Sequence, residues 1–260
     1  TVNSSLTTMR RLKDTSRHIF VIASLCIVPR AVAGPPLATE DPGILDPGQW
    51  ELIAATSVSA FGSGDIYELP ILDVALGVIQ DHLQLTATYR YVTADPDDGG
   101  SRSNFGNPEF GLKWRFLHTE RLQIAFAPLL TFGISRPLAE VGIGDDTNVL
   151  QLPLAVEYQL NERWRFNGAF SYLGVESGPD GWGYSGALAY SLNGRWDLLA
   201  EIAGASDEDF DEQILDLRVG FDVALTENFH LLLAMATGVE APDRVEELHY
   251  DLFFGLQFFL

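Results

Sequence analysis

From Gln49 onward, apolar and polar residues alternate, and the alternation continues to the end of the chain. The last stretch shows it most fully. Leu248, Tyr250, Leu252, Phe254, Leu256, Phe258 and Leu260 fall on one face, and Glu247, His249, Asp251, Phe253, Gly255, Gln257 and Phe259 on the other. A period of two is that of a strand, whose successive side chains point to opposite sides. Upstream, Leu52, Ala54, Thr56, Val58 and Ala60 share a face, and Asp73 sets Leu72, Val74, Leu76 and Val78 against it. Leu83, Leu85, Ala87, Tyr89 and Tyr91 alternate with Gln84, Thr86, Thr88 and Arg90. The contrast recurs over residues 110–116, 122–132, 150–160, 164–172, 182–192, 196–202, 215–225 and 229–235.

These segments number about twelve, mostly of about ten residues, the length and even count of a membrane barrel. The fold class is therefore all-β, a transmembrane antiparallel up-and-down β-barrel over residues 49–260. The connections alternate as well. Short polar turns such as L-N-E-R-W from Leu160, L-N-G-R-W from Leu192 and L-T-E-N-F from Leu225 separate apolar or aromatic residues. Longer connections carry acids. Short turns on one side and long loops on the other fix the orientation, with turns and both termini periplasmic and long loops outside. The acidic residues Asp97, Asp98, Asp145, Asp146, Asp207, Glu208, Asp209 and Asp211 then gather at an outer rim. They serve either solubility or a negative rim potential that concentrates cations, repels anions or shares divalent ions with anionic lipid.

Ahead of the barrel lie two different segments. Residues 9–33 order a basic run, an apolar run from Ile19 to Val28 and Ala31-Val32-Ala33, the layout of a secretory signal with cleavage after Ala33. Residues 1–8 read as an extension upstream of the start. Cys26, the single cysteine, follows Leu25 rather than a small residue, so a lipoprotein signal is not expected. Residues 34–48 are too rich in Pro and Gly for a helix or central strand, and form an irregular arm. It is either a periplasmic lead-in or a plug within the lumen.

Composition changes this picture in two respects. With 36 acidic against 16 basic residues the net charge is -20, and no basic tract follows the signal, which excludes nucleic acid as a partner. A hydrophobic content of 47% excludes a disordered chain. Without residues 1–33 the chain has 11 basic and 35 acidic residues, and Lys113 is its one lysine.

The inward face carries the ionisable set Glu51, Asp73, Arg90, Lys113, Arg115, Glu157, Arg165, Asp197, Glu201, Asp216, Arg218, Asp222, His249 and Asp251. Opposite charges on one face brace a wall by cross-strand pairing, and the same groups can line a path for a solute. No G-x-S-x-G, H-E-x-x-H or Gly-rich phosphate loop is present. A hydrolytic site on His249 and Asp251 is the one enzymatic alternative. No catalytic residue, metal ligand or cofactor is assigned, and the protein is expected not to be an enzyme.

The lead-in P-L-A-T-E-D-P-G-I-L-D-P-G-Q-W-E-L resembles the opening of an outer-membrane family labelled phenol meta-degradation pathway or transporter proteins. The match rests on Pro36, Leu37, Thr39, Asp41, Gly43, Asp46, Pro47, Gly48, Trp50 and Glu51. The resemblance implies a Gram-negative outer-membrane, porin-like channel or transporter for passive uptake of small solutes, with apolar or aromatic ones suggested by the label. A structural or adhesive barrel with a closed lumen is the alternative. Expected partners are outer-membrane lipid, the solute, and the barrel-assembly machinery, which reads the C-terminal strand. Barrels of this kind end in an aromatic residue, whereas this chain ends in Leu260.

Overall fold

The alternation folds into a closed wall. The computed structural model describes residues 36–97, 99–242 and 245–260. The signal expected over residues 1–33, with Cys26, and Asp98 of the expected rim lie outside the described residues. The strands are β1 (Trp50–Phe61), β2 (Gly64–Ile79), β3 (Leu83–Pro96), β4 (Arg102–Phe105), β5 (Glu109–His118), β6 (Leu122–Phe126) and β7 (Leu129–Thr131). They continue as β8 (Val149–Gln159), β9 (Trp164–Val175), β10 (Gly181–Asn193), β11 (Trp196–Asp207), β12 (Gln213–Thr226), β13 (Phe229–Glu240) and β14 (Tyr250–Phe259). A single helical turn, α1 (Arg136–Ala139), lies between β7 and β8.

These segments make a barrel of twelve staves, in agreement with the sequence. Strands β6 and β7 form one stave, because both pair with β5 on one side and β8 on the other. Pro128 lies in the gap between them, where it takes no N–H from the ladder. Strand β4 pairs with β3 alone and extends the wall beyond the barrel rim. Closure comes from β14 against β1, in register from Glu51 opposite Phe259 to Ala60 opposite Tyr250. Closing the ring leaves no long edge of unpaired backbone, which a strand in hydrocarbon must avoid.

The outer surface is apolar because the wall's partner there is lipid. Leu85, Phe110, Leu154, Leu217, Met235 and Leu252, from six different strands, all stand exposed. Aromatic pairs mark both ends of this band. Trp164 with Tyr190 (4.7 Å) and Phe229 with Phe258 (4.6 Å) stand by the short turns, and Phe170 with Trp182 (5.2 Å) by the long loops. Two such girdles are the interfacial anchors of a membrane barrel.

Strand β2 departs from strict alternation once. Its register against both β1 and β3 slips between Glu68 and Ile71, around Leu69–Pro70. One extra residue there reverses the parity, so Tyr67 and Leu69 face out below the slip while Leu72 and Val78 face out above it. Glu68 thereby joins Asp73 on the inner face although one has an even number and the other an odd one.

Inside, the apolar packing is local. Ile53, Ala55 and Leu232 form one buried cluster with Ile71 and Phe253 against it. A second forms where the connection between β7 and β8 turns back into the mouth. Ile143, Ile134 and Leu138 pack there on Ile66, Val92 and Ala94 of β2 and β3. Asn107 ties that connection down, donating from Nδ2 to the carbonyls of Phe132 (2.7 Å) and Asp145 (2.8 Å).

Candidate functional site

The arm, residues 36–48, is seated inside the barrel. Its inner end lies against β2, where the Gly48 N–H donates to the Gly77 carbonyl (2.9 Å) and the Gly77 N–H to that of Gln49 (3.1 Å). Gly77 permits this approach, because a Cβ there would stand 2.2 Å from the Asp46 carbonyl oxygen. The Leu45 N–H then donates to Gln84 Oε1 (3.0 Å). Further along, Glu40 Oε1 meets Lys113 Nζ at 2.7 Å, with Asp41 Oδ2 at 3.7 Å from the same nitrogen.

Beyond Glu40 the arm reaches the far wall. Glu201 Oε1 accepts from the Thr39 N–H (2.5 Å) and the Thr39 hydroxyl (2.6 Å), and Oε2 from the Ala38 N–H (2.9 Å) and Arg218 Nη1 (3.3 Å). Lys113 is on β5 and Glu201 on β11, five staves apart in a ring of twelve, so the arm crosses the lumen. Of the two roles open to it in the sequence, it adopts the one inside the barrel.

Most of the remaining ionisable groups of the inner face form cross-strand pairs. Arg90 Nη2 binds Glu109 Oε2 at 2.8 Å, with Glu68 Oε1 at 3.9 Å from its other terminal nitrogen. Arg165 lies between Glu157 (3.5 Å) and Asp197 (3.9 Å). Arg218 joins Glu201 to Asp251 (3.7 Å), and Asp251 also accepts from Ser59 Oγ (2.9 Å). Asp222 pairs with His230 Nδ1 at 2.8 Å. Arg115 is at the short-turn end, where it holds Asp81 of the β2–β3 turn at 2.9 Å. Asp216 is half-buried on the wall of the outer chamber.

His249 and Asp251 do not come together as a site. Strand β14 begins at Tyr250, so His249 is exposed at the loop end while Asp251 is buried against Ser59 and Arg218.

The acids of the long loops lie at the end opposite the short turns and Leu260. Asp97, Asp146, Glu208, Asp209 and Asp211 are exposed there, while Asp145 and Asp207 are half-buried. Asp207 Oδ1 accepts the N–H groups of Asp211 (2.9 Å) and Glu212 (3.3 Å), and so shapes its own turn. In the preceding long loop, between β9 and β10, the Tyr172 hydroxyl and the Val175 N–H hold the Asp180 carboxyl below the usual carboxylate range.

The arm divides the lumen into two chambers. The one toward the short turns has a volume of about 300 Å³ and is bounded by Glu40, Asp41 and Leu45 of the arm and Glu51, Asp73 and Lys113 of the wall. The outer one, about 120 Å³, is bounded by Ala38, Ser59, Glu201, Asp216 and Arg218. Gln151 touches both. A narrow lining that sets a few charged and amide groups among apolar walls can hold water and present hydrogen-bonding groups to a solute.

Several of these contacts come from residues that sequence reasoning did not place in the lumen. Glu68 is hidden by the parity slip in β2. Glu40, Asp41 and Thr39 lie in a segment without periodicity. Glu109 opens β5 on the inward parity, and extending that strand by one residue would have found it.

The wall is similar in fold to an outer-membrane channel from Pseudomonas putida F1, with a TM-score of 0.70 and 13% identity over 85% of this chain and 98% of that one. It is also similar to the NanC porin (TM-score 0.61, 11% identity, 80% and 100% covered) and the KdgM porin (0.57, 9%, 80% and 98%). At these identities the likeness is one of architecture. No curated protein matches the chain in sequence. A family described as "Putative MetA-pathway of phenol degradation" matches residues 56–252, from within β1 to within β14. By that match, which spans most of the wall, the chain belongs to this family.

Proposed function

We propose that the protein is an outer-membrane channel through which small molecules pass passively. The observation that carries this reading is the combination of an apolar outer surface and a lumen that holds two chambers, both lined by Gln151 and by residues of the arm. The architecture shared with an outer-membrane channel and two porins supports it. Purified protein in planar lipid bilayers is expected to give stepwise conductance. Folded, heat-modifiable protein without conductance would overturn the reading in favour of a closed structural barrel. The family's description points to aromatic solutes, so these are expected to interrupt the current more than sugars of similar size.

The finer partners follow from the same reading. Residues 1–33 direct export, and N-terminal sequencing of the exported protein is expected to begin at Gly34. Strand β14 is read by the assembly machinery through its outward face, and Leu260→Phe is expected to speed insertion; equal or slower insertion counts against that role. The rim acids serve solubility, a reading supported by Asp207 being engaged with its own turn. A change in stability or selectivity on chelating calcium and magnesium would instead favour divalent ions bound at the rim.

A further inference from the structure

The inner chamber is unbalanced in charge. Glu40, Asp41, Glu51 and Asp73 border it, against one cation, Lys113. That ammonium is already engaged by Glu40 and Asp41. Glu51 takes a hydrogen bond from Gln257. Asp73 is 8% exposed, and among the described residues no hydrogen bond or ion pair reaches its carboxylate. Across the lumen, Gln151 on β8 is 4% exposed, and its Oε1 is a buried acceptor with no donor. Buried polar groups are ordinarily paired, so unpaired ones that face a cavity point to something that enters it.

We infer that the inner chamber is a binding site for a small organic ammonium ion. The unsatisfied groups are acceptors, and an ammonium carries up to three N–H donors with the charge that Asp73 and Glu51 lack. The rest of the lining suits a short apolar body: Ile44, Leu45, Pro128, Leu129 and Phe259. A chamber of about 300 Å³, with apolar walls and a few polar groups among them, is at the lower end of the range for small-molecule sites. A metal ion fits less well. Among the described residues no group of three or more His, Cys, Asp or Glu side chains is placed to hold one, and a metal makes no use of the apolar walls.

The inference rests on the channel reading for the solute's path to the chamber, but binding can be measured without conductance. Calorimetry on the full chain in detergent compares benzylammonium, benzyl alcohol and benzoate, three probes of one shape and different charge. Benzylammonium is expected to bind at least about tenfold more tightly than either of the others. Asp73→Asn, and separately Glu51→Gln, remove most of that advantage and leave benzyl alcohol unchanged, with heat-modifiable folding confirming an intact barrel. Equal affinity for the ammonium and the alcohol, as a merely water-filled lumen gives, overturns the inference. So does an advantage that survives both substitutions, since the ammonium then binds elsewhere. Absence of conductance with ammonium binding intact counts against the channel and leaves the site standing.

Discussion

Two neighbouring residues of β14 show how differently the two faces of the wall are held. Leu252 points into lipid, exposed and making no polar contact, whereas Asp251 beside it is 2% exposed and bonded to Ser59 on β1 and Arg218 on β12. The outer face needs only to be apolar, and any large aliphatic or aromatic residue meets that need. The inner face needs particular partners, because a charge there is stable only when another group meets it. The outer face is thus sensitive to a change of kind, and the inner face to a change of partner.

The largest effect is expected from the wrong kind of residue outside. Met235 lies midway along β13, opposite Val219 and Leu252. Met235→Arg should cost about 2–4 kcal/mol, read as a lower midpoint in urea titrations of the folded barrel in lipid. A smaller loss would mean that this surface does not meet the hydrocarbon core.

Loss of partners inside comes next. Glu201→Gln keeps the shape and removes the charge that receives Thr39, Ala38 and Arg218, and should weaken arm docking by about 1.5–3 kcal/mol. Higher conductance and faster proteolysis of the arm are the readouts; unchanged values would show that Glu201 does not retain it. Gly77→Val attacks the arm at its other end without altering charge. The added side chain collides with the Asp46 carbonyl at an expected cost of about 1–3 kcal/mol to docking, with the same readouts. The smallest effect belongs to a pair on neither face. Arg136 of α1 and Glu140 just after it, exposed and 3.1 Å apart, should contribute no more than about 0.5 kcal/mol, so Arg136→Ala leaves the urea midpoint in place.

The same contrast explains what could be read from the sequence. Lipid imposes one condition on every second residue, so the staves, their facing and the order of turns and loops were legible from alternation alone. Leu217, Val219 and Phe221 need no knowledge of their neighbours to be placed. A lumen contact depends on a residue elsewhere in the chain. Arg90 was evident as an inward charge, but Glu68 lies beyond a one-residue slip and Glu109 on another strand. Glu40 and Thr39 were least accessible, because an arm of irregular backbone has no period to show which wall it will touch.

The Thr39–Glu201 contact joins residues 162 positions apart in sequence, yet the arm is fastened to the wall again at Gly48. It therefore acts as a ligand tethered to its own receptor. A short tether sets an effective concentration on the order of millimolar, whatever the amount of protein present. A solute that displaces residues 38–41 competes against that fixed internal concentration, and an arm pushed aside has only a short distance to return.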